Sequence, residues 1–214
     1  MEETAAQHLF EQIREYASLP YTSICMLHYA EPKTPCPHSR FFCGKESVKP
    51  AVNFDAVKEE FCNREKIKDL WSSVDAVLYK NNIFLFVEIK SWQNFDRHHV
   101  NVGDSPEEVR KKADQQAKKF NLKLKIDSSI EICRNISKDP DLFAEMPTVY
   151  VLVTDVDTVP DPLVRFRARL GILSYNAMNI PSYTRASFNA IKATGMNVRY
   201  VNCRNFDSFF DSLK

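Results

Sequence analysis

Residues 72–92 read SSVDAVLYKNNIFLFVEIKSW. The apolar runs on either side of Lys80-Asn81-Asn82 predict two strands joined by a tight turn. Asn tolerates positive φ, so Asn81-Asn82 fits a two-residue hairpin loop of type I′. Counting outward from that loop pairs Lys80 with Ile83, Tyr79 with Phe84, Val77 with Phe86 and Asp75 with Glu88. Side chains alternate along a strand, so Glu88 and Lys90 share one face. Asp75, Glu88 and Lys90 then meet at one end of the hairpin, with Tyr79, Phe84 and Phe86 beneath them. Directly opposed Cβ atoms lie about 4.5–5.5 Å apart, and like charges there repel. A buried pair of carboxylates needs a cation between them, which Lys90 or a divalent metal can supply.

Outward from the hairpin, the chain alternates helical and extended patterns. Residues 2–18 carry a helical stripe of Ala6, Leu9, Phe10, Ile13, Tyr16 and Ala17. Tyr21 to Tyr29 reads as a strand, and EPKTPCPHSR after it as a proline-rich loop. A second helix is expected from about Asn53 to Lys68, with Phe54, Val57 and Phe61 inward. WQNFDRHHVNVGDSP reads as a polar loop. Asp104 or Ser105 caps a helix that starts at Pro106 and runs to about Leu124. A short helix and loop fill 127–145, TVYVLV is a buried strand, and 161–194 are mostly helical. VRYVNC and FDSFFDSL supply a last strand and helix. The order predicts an α/β (α+β) fold, a central mixed sheet flanked by helices, in one domain of 214 residues.

Composition sets limits. Hydrophobic residues make up 44% and charged residues 27%, as in an ordinary globular chain. No apolar run approaches the roughly 20 residues of a membrane helix, and MEETAAQHLF lacks the pattern of a secretory signal. The expectation is a cytoplasmic protein without membrane contact. Net charge is +1, so any nucleic-acid surface has to be local. The four glycines are unclustered, which argues against a phosphate-cradling loop. Cys25, His28, Cys36, His38 and Cys43 could supply zinc ligands, but they lack paired C-x2-C knuckles; buried or loop thiols are the plainer reading.

Asp75 followed by Glu88-Ile89-Lys90 on the next strand, with a helix behind, resembles the PD-(D/E)xK nuclease superfamily over roughly residues 50–155. Acid-x-Lys alone is a common accident, as Glu31-Pro32-Lys33 illustrates; the paired strands make the difference. The resemblance implies a restriction-endonuclease-like core and a Mg²⁺- or Mn²⁺-dependent phosphodiester hydrolase acting on nucleic acid, DNA before RNA. It implies that Asp75, Glu88 and the Ile89 carbonyl bind the metal and that Lys90 positions the attacking water. Val74 stands where the family pattern has Pro. A homodimer is compatible with such an enzyme. The residue types suit the reaction: hard oxygen ligands hold the cation, and an ammonium group sits beside the water. The alternative is a catalytically silent domain of the same kind that binds nucleic acid or a protein, or a zinc-stabilised interaction module.

The helix after the hairpin shows a stripe of Val109, Ala113, Gln116, Phe120 and Leu124. Gln116 interrupts it, and the resemblance implies a place for it at the active site; Gln115 is a weaker candidate. The superfamily's Tyr four residues on is Phe120 here. The flanks carry Arg110, Lys111, Lys112, Lys118, Lys119, Lys123 and Lys125. Such a run is either a solvated face or a track for phosphates, for which Lys111, Lys112, Lys118 and Lys119 are the candidates. Arg165, Arg167 and Arg169 form a second cluster. His98 and His99 read as exposed loop residues, and Asp155 and Asp157 as strand-end turn residues that could approach a cleft. Glu60, Glu65, Glu11 and Glu15 are candidates for a third acidic ligand.

Overall fold

The computed structural model describes residues 4–27, 47–68, 71–156 and 175–214. The hairpin forms in the counted register from Lys80 back to Ala76, but the ladder stops short of the expected Asp75–Glu88 pair. Strand β2 (Ala76–Lys80) pairs antiparallel with β3 (Ile83–Lys90), with Lys80 opposite Ile83, Tyr79 opposite Phe84 and Val77 opposite Phe86. The turn departs from type I′, because only Asn81 of the pair has a positive φ, at 55°. Thr4 Oγ1 donates to the Asn81 carbonyl and Asn82 Oδ1 accepts from Ala6 N–H, tying this loop to the start of helix α1 (Ala5–Tyr16).

Strands β1 (Val52–Asn53), β4 (Thr148–Thr154) and β5 (Val198–Asn202) complete a five-stranded mixed sheet in spatial order β1-β2-β3-β4-β5. The β1/β2 and β2/β3 pairs are antiparallel, and β3/β4 and β4/β5 parallel. With a neighbour on each side and cover on both faces, β3 is apolar almost throughout, as a central strand should be. Its odd and even positions serve different layers. Leu85, Val87 and Ile89 pack with Val149, Val151, Val153, Phe206 and Phe210. Phe84 and Phe86 pack on the other side with Leu9, Phe10, Phe54, Tyr150 and Leu152. Glu88 continues the second series and lies inside that larger layer.

The helices over the larger layer include α1, α3 (Phe54–Arg64), α5 (Pro106–Lys119), α6 (Leu122–Ser137) and α7 (Tyr175–Lys192), and the helix at Trp92 joins them through Trp92 and Phe95. Ser105 caps α5 in a reciprocal capping box with Glu108. Helix α8 (Phe206–Ser212) covers the smaller face with Phe206 and Phe210. No described helix is long and apolar enough to cross a membrane.

Three expectations are corrected. Tyr21 to Tyr29 is not a strand where described: Thr22 makes one bridge to Ala51, and Ile24–Leu27 form a short helix, α2. A short apolar run carries no period to separate the two. The segment WQNFDRHH is helix α4 (Trp92–His99), so His98 and His99 lie in its last turn rather than in a loop. The long helix after Pro106 stops at Lys119. Asn121 adopts the left-handed conformation, φ 51° and ψ 40°, which Asn tolerates, and α6 begins at Leu122. Leu124 is therefore exposed, away from the stripe it was expected to join.

Asp155, at the end of β4, has a structural role. Its carboxylate accepts from Trp92 N–H at 2.8 Å, from Gln93 N–H at 3.2 Å and from the Ser91 hydroxyl. An anion thus sits on the N-terminus of α4, where free N–H groups point outward. Asp155→Ala strips a partner from three donors and is expected to lower the unfolding free energy by roughly 2–4 kcal/mol. Urea denaturation followed by circular dichroism checks this.

Candidate functional site

The end of the hairpin is built from four charged side chains on three elements. Asp75 precedes β2, Glu88 and Lys90 lie on β3, and Lys125 comes from the first turn of α6. The ladder ends at Ala76, because Asp75 N–H donates to the Val87 carbonyl at 3.0 Å. That shift brings Asp75 Oδ2 onto Ile89 N–H at 2.6 Å. The two acids still share the cations between them. Lys90 Nζ forms a very short ion pair with Glu88 Oε1 and lies 3.7 Å from Asp75 Oδ2. Lys125 Nζ lies 2.6 Å from the same Glu88 oxygen and 3.7 Å from Asp75 Oδ1.

In the sequence Lys125 belongs to the basic run that is either a solvated face or a phosphate track, and the break at Asn121 redirects it. A latch then fixes its turn of helix. Ser129 Oγ donates to the Lys125 carbonyl at 2.7 Å and accepts from Val74 N–H at 3.0 Å, beside Asp75. Ser129 is fully buried, so the helix cannot turn without losing the bond from Val74.

Glu88 is 0% exposed, whereas Asp75, Lys90 and Lys125 keep 18%, 22% and 21% of their side chains accessible. The site therefore opens on one side, with Glu88 at its base. Burial, and then the Asp75 charge, push the Glu88 carboxyl up to about 7, although both lysines pull the other way. Burial works against the Lys90 ammonium, but Glu88 and Asp75 outweigh it and hold the group above its ordinary value. Beneath the acids, Tyr150 is raised well above its usual range by burial, with further contributions from Glu88 and Asp75. The phenol stays neutral and confines the charge to the four groups above it.

Two carboxylates and the Ile89 carbonyl are hard oxygen donors of the kind Mg²⁺ takes. Glu88 Oε2 is buried with no hydrogen-bond partner among the described residues, an unmet acceptor on the carboxylate whose other oxygen meets both lysines. The residues fit a hard cation. The Ile89 carbonyl, however, accepts from Lys90 Nζ at 3.0 Å, so one ammonium touches or approaches every expected metal ligand. Among the described residues no three His, Cys, Asp or Glu side chains form a metal-holding group.

The other candidates fall in several places. Gln116 is half-buried, and among the described residues no hydrogen bond joins its side chain to either acid. Phe120 does approach: its ring centroid is 5.8 Å from Lys90 Nζ, which sets the C-terminal end of α5 against the site. Lys118 and Lys119 lie in that last turn, exposed. Lys111 is exposed about two turns back, near 10 Å along the axis, and Lys112 is bound to Asp104. Glu60 pairs with Arg64, Glu11 and Glu15 with Arg14. The nearer acid is Asp55, which sequence reasoning missed. It accepts from the Ser73 hydroxyl, pairs with Lys58 at 3.2 Å, and its charge helps hold Lys90 protonated. The available signal was its place in the first turn of α3, whose Phe54 N–H donates to the Asp75 carbonyl at 3.1 Å. Cys25 is buried, its sulfur accepting from Ser47 N–H. His28, Cys36, His38, Cys43, Asp157, Arg165, Arg167 and Arg169 lie outside the described residues.

Comparison with known proteins finds no matching family model, curated protein or solved structure.

The raised carboxyl has a pH signature. In the folded chain Glu88 holds its proton up to about 7, against 4.5 for the ordinary group. The stability this contributes is fully present below the ordinary value and is lost as pH rises through 7. The loss is on the order of 3 kcal/mol at about 1.4 kcal/mol per unit. Wild-type chain should therefore lose stability between about pH 5 and pH 8, and Glu88→Gln should flatten that slope whatever it does to absolute stability. Urea titrations at several pH values decide it; equal slopes would remove Glu88 as the titrating group.

Proposed function

We propose that this chain is a Mg²⁺-dependent phosphodiester hydrolase of the PD-(D/E)xK kind on a restriction-endonuclease-like core, acting on nucleic acid, DNA before RNA. One observation carries the reading: Asp75 and Glu88 converge from adjacent strand segments, Lys90 lies between them, and Glu88 Oε2 is buried with no hydrogen-bond partner among the described residues. Asp75, Glu88 and the Ile89 carbonyl would hold the ion, which when bound polarises the phosphate and lowers the pKa of a water. Lys90 supplies a fixed positive charge beside the attacking water and the developing charge on the phosphoryl oxygens. Its protonated state, favoured by both acids, suits it to orient water and to stabilise charge rather than to abstract a proton.

Lys111, Lys118 and Lys119, with Arg110, are exposed and make no ion pair among the described residues. They offer phosphates a salt-sensitive, sequence-independent track that ends beside the site at Phe120. A second reading, a catalytically silent domain that binds nucleic acid, is favoured by the balance of two ammonium groups against two carboxylates. It predicts salt-dependent binding without cleavage.

Purified protein should cut DNA with Mg²⁺ or Mn²⁺. Lys90→Ala should lower the rate by about 10²–10⁴-fold, and EDTA should abolish it. Trace activity identical in wild type and variant would mark a contaminant and leave the silent reading standing.

A further inference from the structure

We infer that Lys125 is a built-in competitor for the divalent ion: its ammonium occupies a Glu88 ligand oxygen in the ion-free protein and must swing away before the ion binds. This rests on the metal-dependent reading above and concerns how the same site is regulated. The geometry distinguishes the two lysines. Lys90 has partners besides the acids, the Ile89 carbonyl at 3.0 Å and the face of Phe120 at 5.8 Å. Lys125 has only Glu88 and Asp75 among the described residues. Lys90 can give up Glu88 and stay in the site, whereas Lys125 has nothing else there to hold it.

The electrostatics point the same way. Two carboxylates and two ammonium groups sum to zero, so the resting site is already neutral. A dication entering with both lysines in place would leave two net positive charges around a buried carboxylate, which a low-dielectric setting penalises heavily. Withdrawing one ammonium along its open side removes half of that excess. Close charge pairs of this kind couple strongly enough to matter to binding. Displacing Lys125 therefore weakens ion binding by at least about tenfold. The backbone under Lys125 need not move, because the Ser129 latch holds the helix while the side chain alone rotates.

The test titrates Ca²⁺, a hard oxygen-seeking ion, into ligand-free protein by calorimetry near pH ~8.5, where Glu88 is ionised. Lys125→Met should bind Ca²⁺ at least about tenfold more tightly than wild type. Ca²⁺ should also raise the thermal midpoint of the variant more than that of wild type. Lys125→Gln, which keeps a hydrogen-bond donor without the charge, should behave alike if the Met variant folds poorly. Binding by the variants alone, with none by wild type, also supports competition. Equal or weaker Ca²⁺ affinity in the folded variants overturns the competitor role and leaves the metal-dependent reading intact. No binding by wild type or either variant overturns both.

Discussion

The arrangement depends on one carboxylate that lies where an apolar side chain would be expected. Glu88 follows Phe84 and Phe86 on the same face of the central strand, with strands on both sides and helices above, and its side chain is fully buried. An isolated ionised carboxylate there would cost several kcal/mol after relaxation. Each nearby feature eases that cost. Lys90 comes from the same strand, Lys125 from a helix that has to begin at Leu122 to deliver it, and Tyr150 closes the floor without adding charge. Even so, one oxygen finds no hydrogen-bond partner among the described residues and the group holds its proton to about neutrality. A chain selected for stability alone would place a hydrophobe at this position, since an apolar replacement of a buried ionic cluster is often neutral or stabilising.

The hairpin was legible because a two-residue loop leaves a single register that keeps Val77, Phe84 and Phe86 on one face. The convergence of Asp75, Glu88 and Lys90 followed from that register, even though the ladder stops one residue early and Asp75 turns its side chain onto Ile89 N–H. The buried β4 strand was legible for the same reason as β3: a short, continuous apolar run. What was hidden depends on long-range contacts. Helix α4 looks like a polar loop because Asp96, near its middle, is buried only by meeting Tyr183 and Asn179 from far along the chain. Its N-terminus is completed by Asp155, more than sixty residues away. Local pattern carries neither fact.

The end of α5 illustrates the other kind of miss. Val109, Ala113 and Phe120 form the buried stripe expected of one helix, and nothing in FNLKLK forbids its continuation. A single residue, Asn121, takes the left-handed conformation and changes which face every later side chain presents. Leu124 moves from the stripe to solvent, and Lys125 from the surface run to Glu88. A periodicity argument assumes an unbroken axis, so one left-handed residue removes its power beyond that point. The same turn made the second cation of the site invisible from the sequence.

Access is asymmetric, and this bears on what can enter. Asp75, Lys90 and Lys125 line the open side, and Glu88 lies wholly behind them. Anything approaching from solvent meets two ammonium groups before it meets the second carboxylate. On the proposed reading, a small anion such as a phosphodiester would be attracted by those ammonium groups, while a free cation would be repelled by them and would reach Glu88 only if one of them yields. Asp55 moderates this by setting a further negative charge near Lys90. On the proposed reading, anion and cation then help each other in. The phosphate offers the displaced ammonium a new partner, and the ion compensates the acids that the ammonium has left. On that reading the order of charges from the mouth to the base of the site would couple the two ligands through side chains alone.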